Sequence, residues 1–244
     1  MAVFHFVKTM DYKGLVFMVH KIIAKNYYEE LFWSQDKLIC GIDEVGRGSL
    51  FGPVVAGAVI LVKNAPSTLL IDSKKLTSHE LMMANNYLVK HSCYAFGIAS
   101  HDEIEQLNIY HATLLAMQRA AYNLFSICKI RPAAIVVDAM PLILKNSAYA
   151  DVPVYHFPKG EDFSSSIAAA SIMAKVYRDQ LMVAYDKSFP GYLLGAHKGY
   201  GTAQHQAALA AKGPLFMHRK KYLTSAKQQA NLGVIYAKQA SIFC

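Results

Sequence analysis

The chain is poor in the residues that build disulfide or zinc scaffolds. It has 4 cysteines in 244 residues. They stand far apart and show no metal-type pairing, at Cys40, Cys93, Cys128 and Cys244. This spacing argues against a disulfide framework and a zinc finger. It predicts reduced thiols in a cytoplasmic protein.

The sequence also lacks a long apolar run and a nucleotide-binding glycine motif. Its apolar N-terminal stretch, residues 14–24, is short and interrupted by His20 and Lys21, so neither a membrane span nor a secretory signal is predicted. A Gly-x-Gly-x-x-Gly or Walker pattern is absent, which argues against a nucleotide-binding domain. The 10 histidines are scattered, and most are expected at the surface.

What the chain does have is apolar content and positive charge. Hydrophobic residues make up 54% of it, and its formal net charge is +8. Its length suits one sizeable domain with a small appendage. A basic balance favours a polyanionic partner.

Residues 43–54 are the most informative segment, Asp-Glu-Val-Gly-Arg-Gly-Ser-Leu-Phe-Gly-Pro-Val. Adjacent carboxylates after a short apolar run suggest metal ligands or chemistry, because buried acids are costly otherwise. Glycines on both sides of an arginine let the backbone approach a ligand closely, while the guanidinium binds an oxygen. The combination predicts a nuclease. The alternative is a strand, a glycine turn and a second strand with solvated acids.

This segment resembles the signature of ribonuclease HII, the type 2 ribonuclease H family. Ser49 and Phe51 stand where the family pattern has proline and alanine, and Ala139 stands where it usually has glycine. The resemblance extends from about residue 28 to residue 224. It implies a catalytic domain over 28–224, preceded by an extension at 1–27 that is either helical or without regular structure. A C-terminal tail at 225–244 is predicted to be helical.

The periodicity of the sequence predicts an α/β fold. The pattern of strands and helices indicates a mixed sheet flanked by helices. The resemblance implies a ribonuclease H-like fold with five strands and a small C-terminal helical region. Strands are predicted at 38–44, 52–62, 92–100, 133–137 and 152–157, and helices from Thr77, from Ser100 or Asp102, over 109–127, over 163–186 and over 202–211.

Acidic residues at strand ends are the candidate catalytic groups. Asp43 and Glu44 end the first of these strands, and Asp138 follows the fourth, where open α/β sheets bind ligands. Neighbouring strand residues face opposite ways, so Asp43 and Glu44 share a site only if the strand ends or bulges there. Counting from the family's Lys-Gly-Asp motif places the fourth acid at Glu161. Asp162 and a solvated helix start remain alternatives.

Oxygen-only ligands select Mg²⁺ or Mn²⁺ over zinc. The resemblance implies two such ions, bound by Asp43, Glu44, Asp138 and Glu161, and products with 5′-phosphate and 3′-hydroxyl ends. The substrates it implies are RNA–DNA hybrids and duplex DNA containing single ribonucleotides. The expected roles are primer removal and ribonucleotide excision by a monomer.

Substrate-binding residues also follow from the resemblance. Gly46, Arg47 and Gly48 match the family loop that reads the ribose 2′-hydroxyl, and Tyr200 matches the tyrosine that stacks on the next sugar. A phosphate-contacting loop is matched by Ser73, Lys74 and Lys75. The alternatives are an exposed loop tyrosine and a solvated charge run.

Two other functions compete with this one. Ribonuclease HIII shares the fold and the early motif, but it carries a sizeable N-terminal substrate-binding domain that 42 residues before Asp43 do not supply. A catalytically inactive hybrid-binding module would need a lost metal ligand, and Glu161 is the candidate position.

Overall fold

The computed structural model describes residues 4–10, 16–22, 25–145 and 147–223, with side chains from residue 25 onward. Its centre is a five-stranded sheet in the order β5-β4-β3-β6-β7. Strands β3, β4 and β5 are antiparallel neighbours, and β6 and β7 run parallel to β3. The strands are β3 Cys40–Val45, β4 Val54–Leu61, β5 Ser92–Ala99, β6 Ile135–Asp138 and β7 Val154–Phe157.

Helices cover both faces of this sheet, as predicted. They are α1 Tyr27–Trp33, α2 Ser78–His91, α3 His101–Ile127, α4 Gly160–Phe163, α5 Ser165–Ser188, α6 Leu194–His197 and α7 Ala203–Lys212, with 3-10 turns at Ser73–Lys75 and Lys220–Tyr222. Helices α6 and α7 and the turn at Lys220–Tyr222 form the small C-terminal helical region. Among the described residues, no helix is both long and apolar enough to cross a membrane.

The two faces of the sheet pack against different helices. Side chains of β3 and β4 such as Ile42 and Ala58 join the core with α3, while Val59 packs with the alanines at the start of α5. Glycine lets α5 come close, because a Cβ on Gly41 would lie 2.1 Å from the backbone of Ser166. The start of α5 therefore lies directly on β3, the strand that carries Asp43 and Glu44.

Local signals fixed several helix starts as predicted. Thr77 and Ser100 each form a capping box, and Thr202 caps α7. Ser100 rather than Asp102 is thus the cap of α3. Asn108 has non-helical dihedrals (φ 66°) inside α3, and its side chain accepts hydrogen bonds from two following backbone N–H groups. The two helices predicted there are consequently continuous across a kink.

The N-terminal extension differs from the helix considered for it. Strands β1 (Phe4–Met10) and β2 (Val16–Ile22) pair antiparallel. These segments are rich in valine and phenylalanine, which favour strands over helices. Helix α1 begins only at Tyr27. The helix predicted for the C-terminal tail, 225–244, lies outside the described residues.

Candidate active site

Three strand carboxylates line one cavity at the carboxyl ends of the central strands β3 and β6. The cavity has a volume of about 440 Å³. It lies where β3 and β6 separate, because their pairing ends at Ile42 and Val137. Its lining residues are Asp43, Glu44, Val45, Ser73, Lys74, Asp138, Ser171, Lys175 and Tyr200.

Asp43 and Glu44 share this cavity without a bulge in the strand. The register between β3 and β4 continues unbroken from Cys40 to Val45. Asp43 is buried, and its Oδ1 accepts a hydrogen bond of 2.7 Å from the Glu44 backbone N–H. The strand runs on to Val45 and neither ends nor bulges at the two acids, so neither condition considered from the sequence applies. What stops before the acids is the pairing of β3 with β6, at Ile42, and both acids line the cavity.

The carboxylates raise one another's pKa. Burial and then the charges of Glu44 and Asp138 raise the pKa of Asp43 well above its ordinary value. Burial also raises the pKa of Glu44, with Arg47 opposing the shift, and the pKa of Asp138, with the Gly160 N–H opposing it. Such clustered acids repel each other when ionised and favour a bound cation.

Glu161 rather than Asp162 faces this group of acids. Glu161 is buried, and its charge contributes to the raised pKa values of Asp43 and Asp138. Its Oε1 lies 3.5 Å from the Lys74 ammonium. Asp162 forms a 2.7 Å ion pair with Lys75, which does not line the cavity. Glu161 does not line the cavity either, but it contacts the lining residue Lys74 and acts on the pKa of Asp43 and Asp138, so the geometry favours it over Asp162 as the fourth acid.

The donor set fits a hard divalent cation such as Mg²⁺ or Mn²⁺. It consists of carboxylate oxygens, and within the described residues the buried Oε2 atoms of Glu44 and Glu161 have no hydrogen-bond partner. Over the same part of the chain, no three His, Cys, Asp or Glu side chains converge into a ready-made metal cluster. The carboxylates surround an opening that ions can enter from solvent.

The Gly46–Gly48 loop borders the acids on one side. Arg47 reaches back to Glu44, with 3.3 Å between NH1 and Oε1. Gly46 has φ of +94°, and a Cβ there would lie 2.2 Å from the Arg178 side chain, so only glycine fits. Gly48 is exposed and has open space beside its Cα. Ser49 forms a β-bridge with Tyr200, which brings the loop and the tyrosine together.

Two buried arginines lie against this loop, and the sequence predicted no role for either. Arg219 donates to the carbonyls of Gly46, Arg47 and Gly52 over 2.7–3.0 Å. Neither Arg219 nor Arg178 forms a salt bridge in the described part of the chain. Burial lowers the pKa of Arg219 to about 10. Both charges are satisfied by backbone carbonyls.

Arg178 packs against Gly46 of the loop and also over the ring of Tyr200. It donates to the carbonyls of Phe51, Pro53 and Lys198 over 2.8–3.2 Å, and its guanidinium carbon lies 5.6 Å from the centre of the Tyr200 ring. A sequence signal for it exists, because helical spacing from the buried Ala170 and Ala174 places residue 178 on the same inward face of α5.

The predicted phosphate-binding residues divide between two positions. Ser73 is buried, with its Oγ 3.1 Å from that of Ser171, and Lys74 lines the cavity. Lys75 does not line the cavity and instead pairs with Asp162. Ser73–Lys75 form a 3-10 turn where a loop was expected.

Three histidines lie buried near Tyr200, although most histidines were expected at the surface. The rings of His197 and His205 stack 4.2 Å apart, and the Nε2 atoms of His205 and His218 are 3.1 Å apart. His205 Nδ1 also contacts the Tyr200 carbonyl oxygen at 2.9 Å. Burial lowers the pKa of His205 to about 4 and that of His218 to about 3. These positions are scattered in sequence and adjacent only in the fold.

Comparison with known proteins identifies the family. The sequence model of the family described as Ribonuclease HII matches residues 40–225. The chain is 44% identical to Ribonuclease HII of Levilactobacillus brevis over 200 residues, which cover 82% of this chain and 74% of that protein. The chain therefore belongs to the ribonuclease HII family, whose members are endonucleases acting on RNA–DNA hybrids.

Solved structures show the same fold. RNase HII in the PCNA:RNase HII complex from Archaeoglobus fulgidus has a TM-score of 0.61 at 20% identity, covering 80% of this chain and 99% of that chain. Bst-RNase HIII in complex with Mn²⁺ has a TM-score of 0.59 at 21% identity, covering 82% of this chain and 71% of that chain. The predicted ribonuclease H-like fold is confirmed.

Proposed function

We propose that this protein cuts RNA–DNA hybrids and also cuts 5′ of single ribonucleotides embedded in duplex DNA, leaving 5′-phosphate and 3′-hydroxyl ends. The observation that carries the proposal is one cavity lined both by Asp43, Glu44 and Asp138 and by Tyr200. A hydrolytic centre and a surface for stacking on a sugar or base lie within reach of the same phosphodiester.

In this proposal, the four acids Asp43, Glu44, Asp138 and Glu161 hold the divalent cations. Two bound Mg²⁺ or Mn²⁺ ions would supply the charge that activates a water and stabilises the leaving oxygen. Mn²⁺ is supported by the complex formed by Bst-RNase HIII. The protein contributes the ligands and their spacing. The raised pKa values of Asp43, Glu44 and Asp138 support this role, since a cation relieves their mutual repulsion.

Substrate selection would rest on the opposite side of the cavity. The Gly46–Gly48 loop presents backbone groups and Arg47 to the ribose, where the 2′-hydroxyl distinguishes RNA from DNA. Tyr200 stacks on the neighbouring sugar. Ser73 and Lys74 contact backbone phosphate without reading sequence, and Lys75 adds charge further out. Such an enzyme, acting as a cytoplasmic monomer, would remove RNA primers and excise ribonucleotides during DNA replication and repair.

The test is cleavage of a labelled DNA duplex that contains one ribonucleotide, with Mg²⁺, Mn²⁺ or EDTA, by wild type and by Asp43→Asn. We expect a metal-dependent cut on the 5′ side of the ribonucleotide that the substitution abolishes. A cut only in longer hybrids would contradict single-ribonucleotide recognition. Hybrid binding without any cut would instead support an inactive hybrid-binding module.

A further inference from the structure

The segment just before and within α1 contacts the part of the chain that carries Glu161. Lys25 Nζ donates to the Glu161 carbonyl at 2.7 Å. Asn26 forms hydrogen bonds on both sides of the α4–α5 junction. Its backbone N–H donates to Phe163 O at 2.7 Å, and its Oδ1 accepts from the Ser165 N–H at 3.2 Å. This segment lies upstream of the matched family region, 40–225.

Glu29 makes the deepest of these contacts. It is 0% exposed, and its Oε1 accepts from Ser164 Oγ at 2.5 Å and from the Ser166 N–H at 2.8 Å. Ser164 in turn caps α5 through Ile167 N–H. A carboxylate at a helix start is favoured by the helix dipole. Within the described residues, the buried Glu29 Oε2 has no hydrogen-bond partner. The two hydrogen bonds of Oε1 are therefore the contacts that offset the cost of burying this carboxylate.

Helix α4, which these residues contact, is too short to be stable by itself. Helix α4 has four residues, Gly160–Phe163, and so short a helix is not stable without tertiary contacts. On its cavity side, Gly160 N–H donates to Asp138 Oδ1 at 2.8 Å. On the other side, the contacts come from Lys25 and Asn26. The position of the Glu161 carboxylate relative to Asp43 and Asp138 therefore depends on both sets.

We propose that Lys25, Asn26 and Glu29, here called the N-terminal brace, are positioning residues that set the affinity of the acid cavity for divalent cations by fixing the backbone of residues 161–166. The proposal rests on the proposed role of Glu161 as a ligand. The brace touches no substrate and acts through Glu161. Partners that orient metal ligands commonly influence metal affinity in this way.

The main variant is Glu29→Ala, with Glu30→Ala as its matched control. Glu30 is the next residue of α1 and is exposed. Helix α1 should stay docked in both variants, because Tyr28 stacks on Phe157 with ring centres 5.2 Å apart. Mn²⁺ binding is measured calorimetrically without nucleic acid. We expect Glu29→Ala to weaken it about 10-fold, the lower end of the effect of orienting partners, and Glu30→Ala to leave it unchanged.

Two further readouts separate positioning from general damage. Glu29→Gln keeps an acceptor oxygen for Ser164 and Ser166, and it should bind Mn²⁺ more tightly than Glu29→Ala. In cleavage of a hybrid, Glu29→Ala should lower kcat at limiting Mn²⁺ and recover it at excess Mn²⁺, with KM for the hybrid unchanged. If thermal unfolding shows that Glu29→Ala is not folded, Lys25→Met carries the same test.

A double variant distinguishes failure of this inference from failure of the proposed function. In the Glu161→Gln background, Glu29→Ala should cause no further loss of Mn²⁺ affinity. If Glu161→Gln alone binds Mn²⁺ like wild type, the ligand role of Glu161 fails. If Glu161→Gln weakens binding but Glu29→Ala does not, or if the two losses simply add, the brace is structural only and the inference is overturned.

Discussion

The two sides of the cavity are built in opposite ways. On the acid side, Asp43, Glu44 and Asp138 are desolvated beside like charges, and their pKa values are raised. On the loop side, the buried charges of Arg178 and Arg219 are matched by carbonyls at 2.7–3.2 Å. The acid side gives up stability and gains affinity for cations. The loop side uses its hydrogen bonds to keep one shape.

The largest effect is expected for loss of a carboxylate on the acid side. Asp43→Asn should lower kcat by about 10³-fold or more, because several kcal/mol of charge stabilisation depends on bound ions. In EDTA the same variant should unfold at a higher temperature than wild type. The substitution removes a buried charge, and its oxygen can keep the bond from Glu44 N–H. Cleavage assays and thermal unfolding measure the two effects.

The pH dependence of that stability has a definite sign. The folded-state pKa of Asp43 is raised, so the native state holds a proton that the unfolded state releases near pH 4. The wild type in EDTA should therefore lose stability as pH rises from about 4 through the raised value, and Asp43→Asn should lose less. The control is Asp162→Asn, which lies outside the cavity and should cleave normally. Equal stability of wild type and Asp43→Asn in EDTA would contradict the electrostatic account.

The second prediction concerns the hydrogen bonds of Arg219 on the loop side. Arg219→Met removes the bonds to three carbonyls and should lower the free energy of unfolding by about 3 kcal/mol or more, since charged hydrogen bonds contribute about 1.5–3 kcal/mol each. Urea unfolding measures this loss. Arg119→Met is the control, because Arg119 is partly exposed, pairs with Glu103 at 2.7 Å and donates to a single carbonyl, that of Ile98, at 2.7 Å. It should cost less, about 1–2 kcal/mol. Similar losses in both variants would show that the loop does not depend on Arg219.

The acid side was the easier of the two to predict from the sequence. The sequence singles out Asp43 and Asp138 because the stop of an apolar run at a carboxylate is a local signal, and both residues line the cavity. Counting favoured Glu161 but left Asp162 open, since the directions of the two side chains depend on how the short α4 is oriented. That orientation depends on contacts from both sides of α4, one from Asp138 and others from residues more than 130 positions away, such as Lys25.

The hydrogen bonds of the loop side could not be predicted from the sequence, because the acceptors are backbone atoms. Arg219 donates to the carbonyls of Gly46 and Gly52, more than 160 residues away, and every residue has a carbonyl, so the sequence pattern does not indicate which ones are bound. The buried histidines were missed for a related reason. His197 lies in α6, His205 in α7 and His218 in the segment after α7, and the three meet only when these parts pack together. The sheet itself was predictable because its strands are locally apolar.

The third prediction concerns acid sensitivity of the loop side. The pKa values of His205 and His218 are lowered to about 4 and about 3, so the native state binds fewer protons than the unfolded state below about pH 6.5. Stability from these groups is complete above that pH and is lost as pH falls. Between pH 6.5 and 5.0, each should cost up to about 2 kcal/mol.

His218→Asn should reduce this loss, because it removes one titrating ring while offering an oxygen to the Leu215 N–H, which donates to His218 Nδ1 at 2.8 Å. Urea unfolding at pH 6.5 and pH 5.0 gives the difference. His156→Asn is the control, since His156 is exposed and should leave the slope unchanged. A slope in His218→Asn as steep as that of wild type would exclude His218 as a source of acid sensitivity.

The smallest effect is expected at Tyr200, which lines the cavity between the two sides. Tyr200→Ala should raise KM about 10-fold for duplex DNA with one ribonucleotide, because stacking contributes about 1–3 kcal/mol. Tyr200→Phe keeps the ring over Arg178, 5.6 Å away, and should resemble wild type. Steady-state cleavage measures both. If Tyr200→Ala lowers stability and leaves KM unchanged, the ring belongs to the packed loop side; if KM alone rises, it faces the substrate.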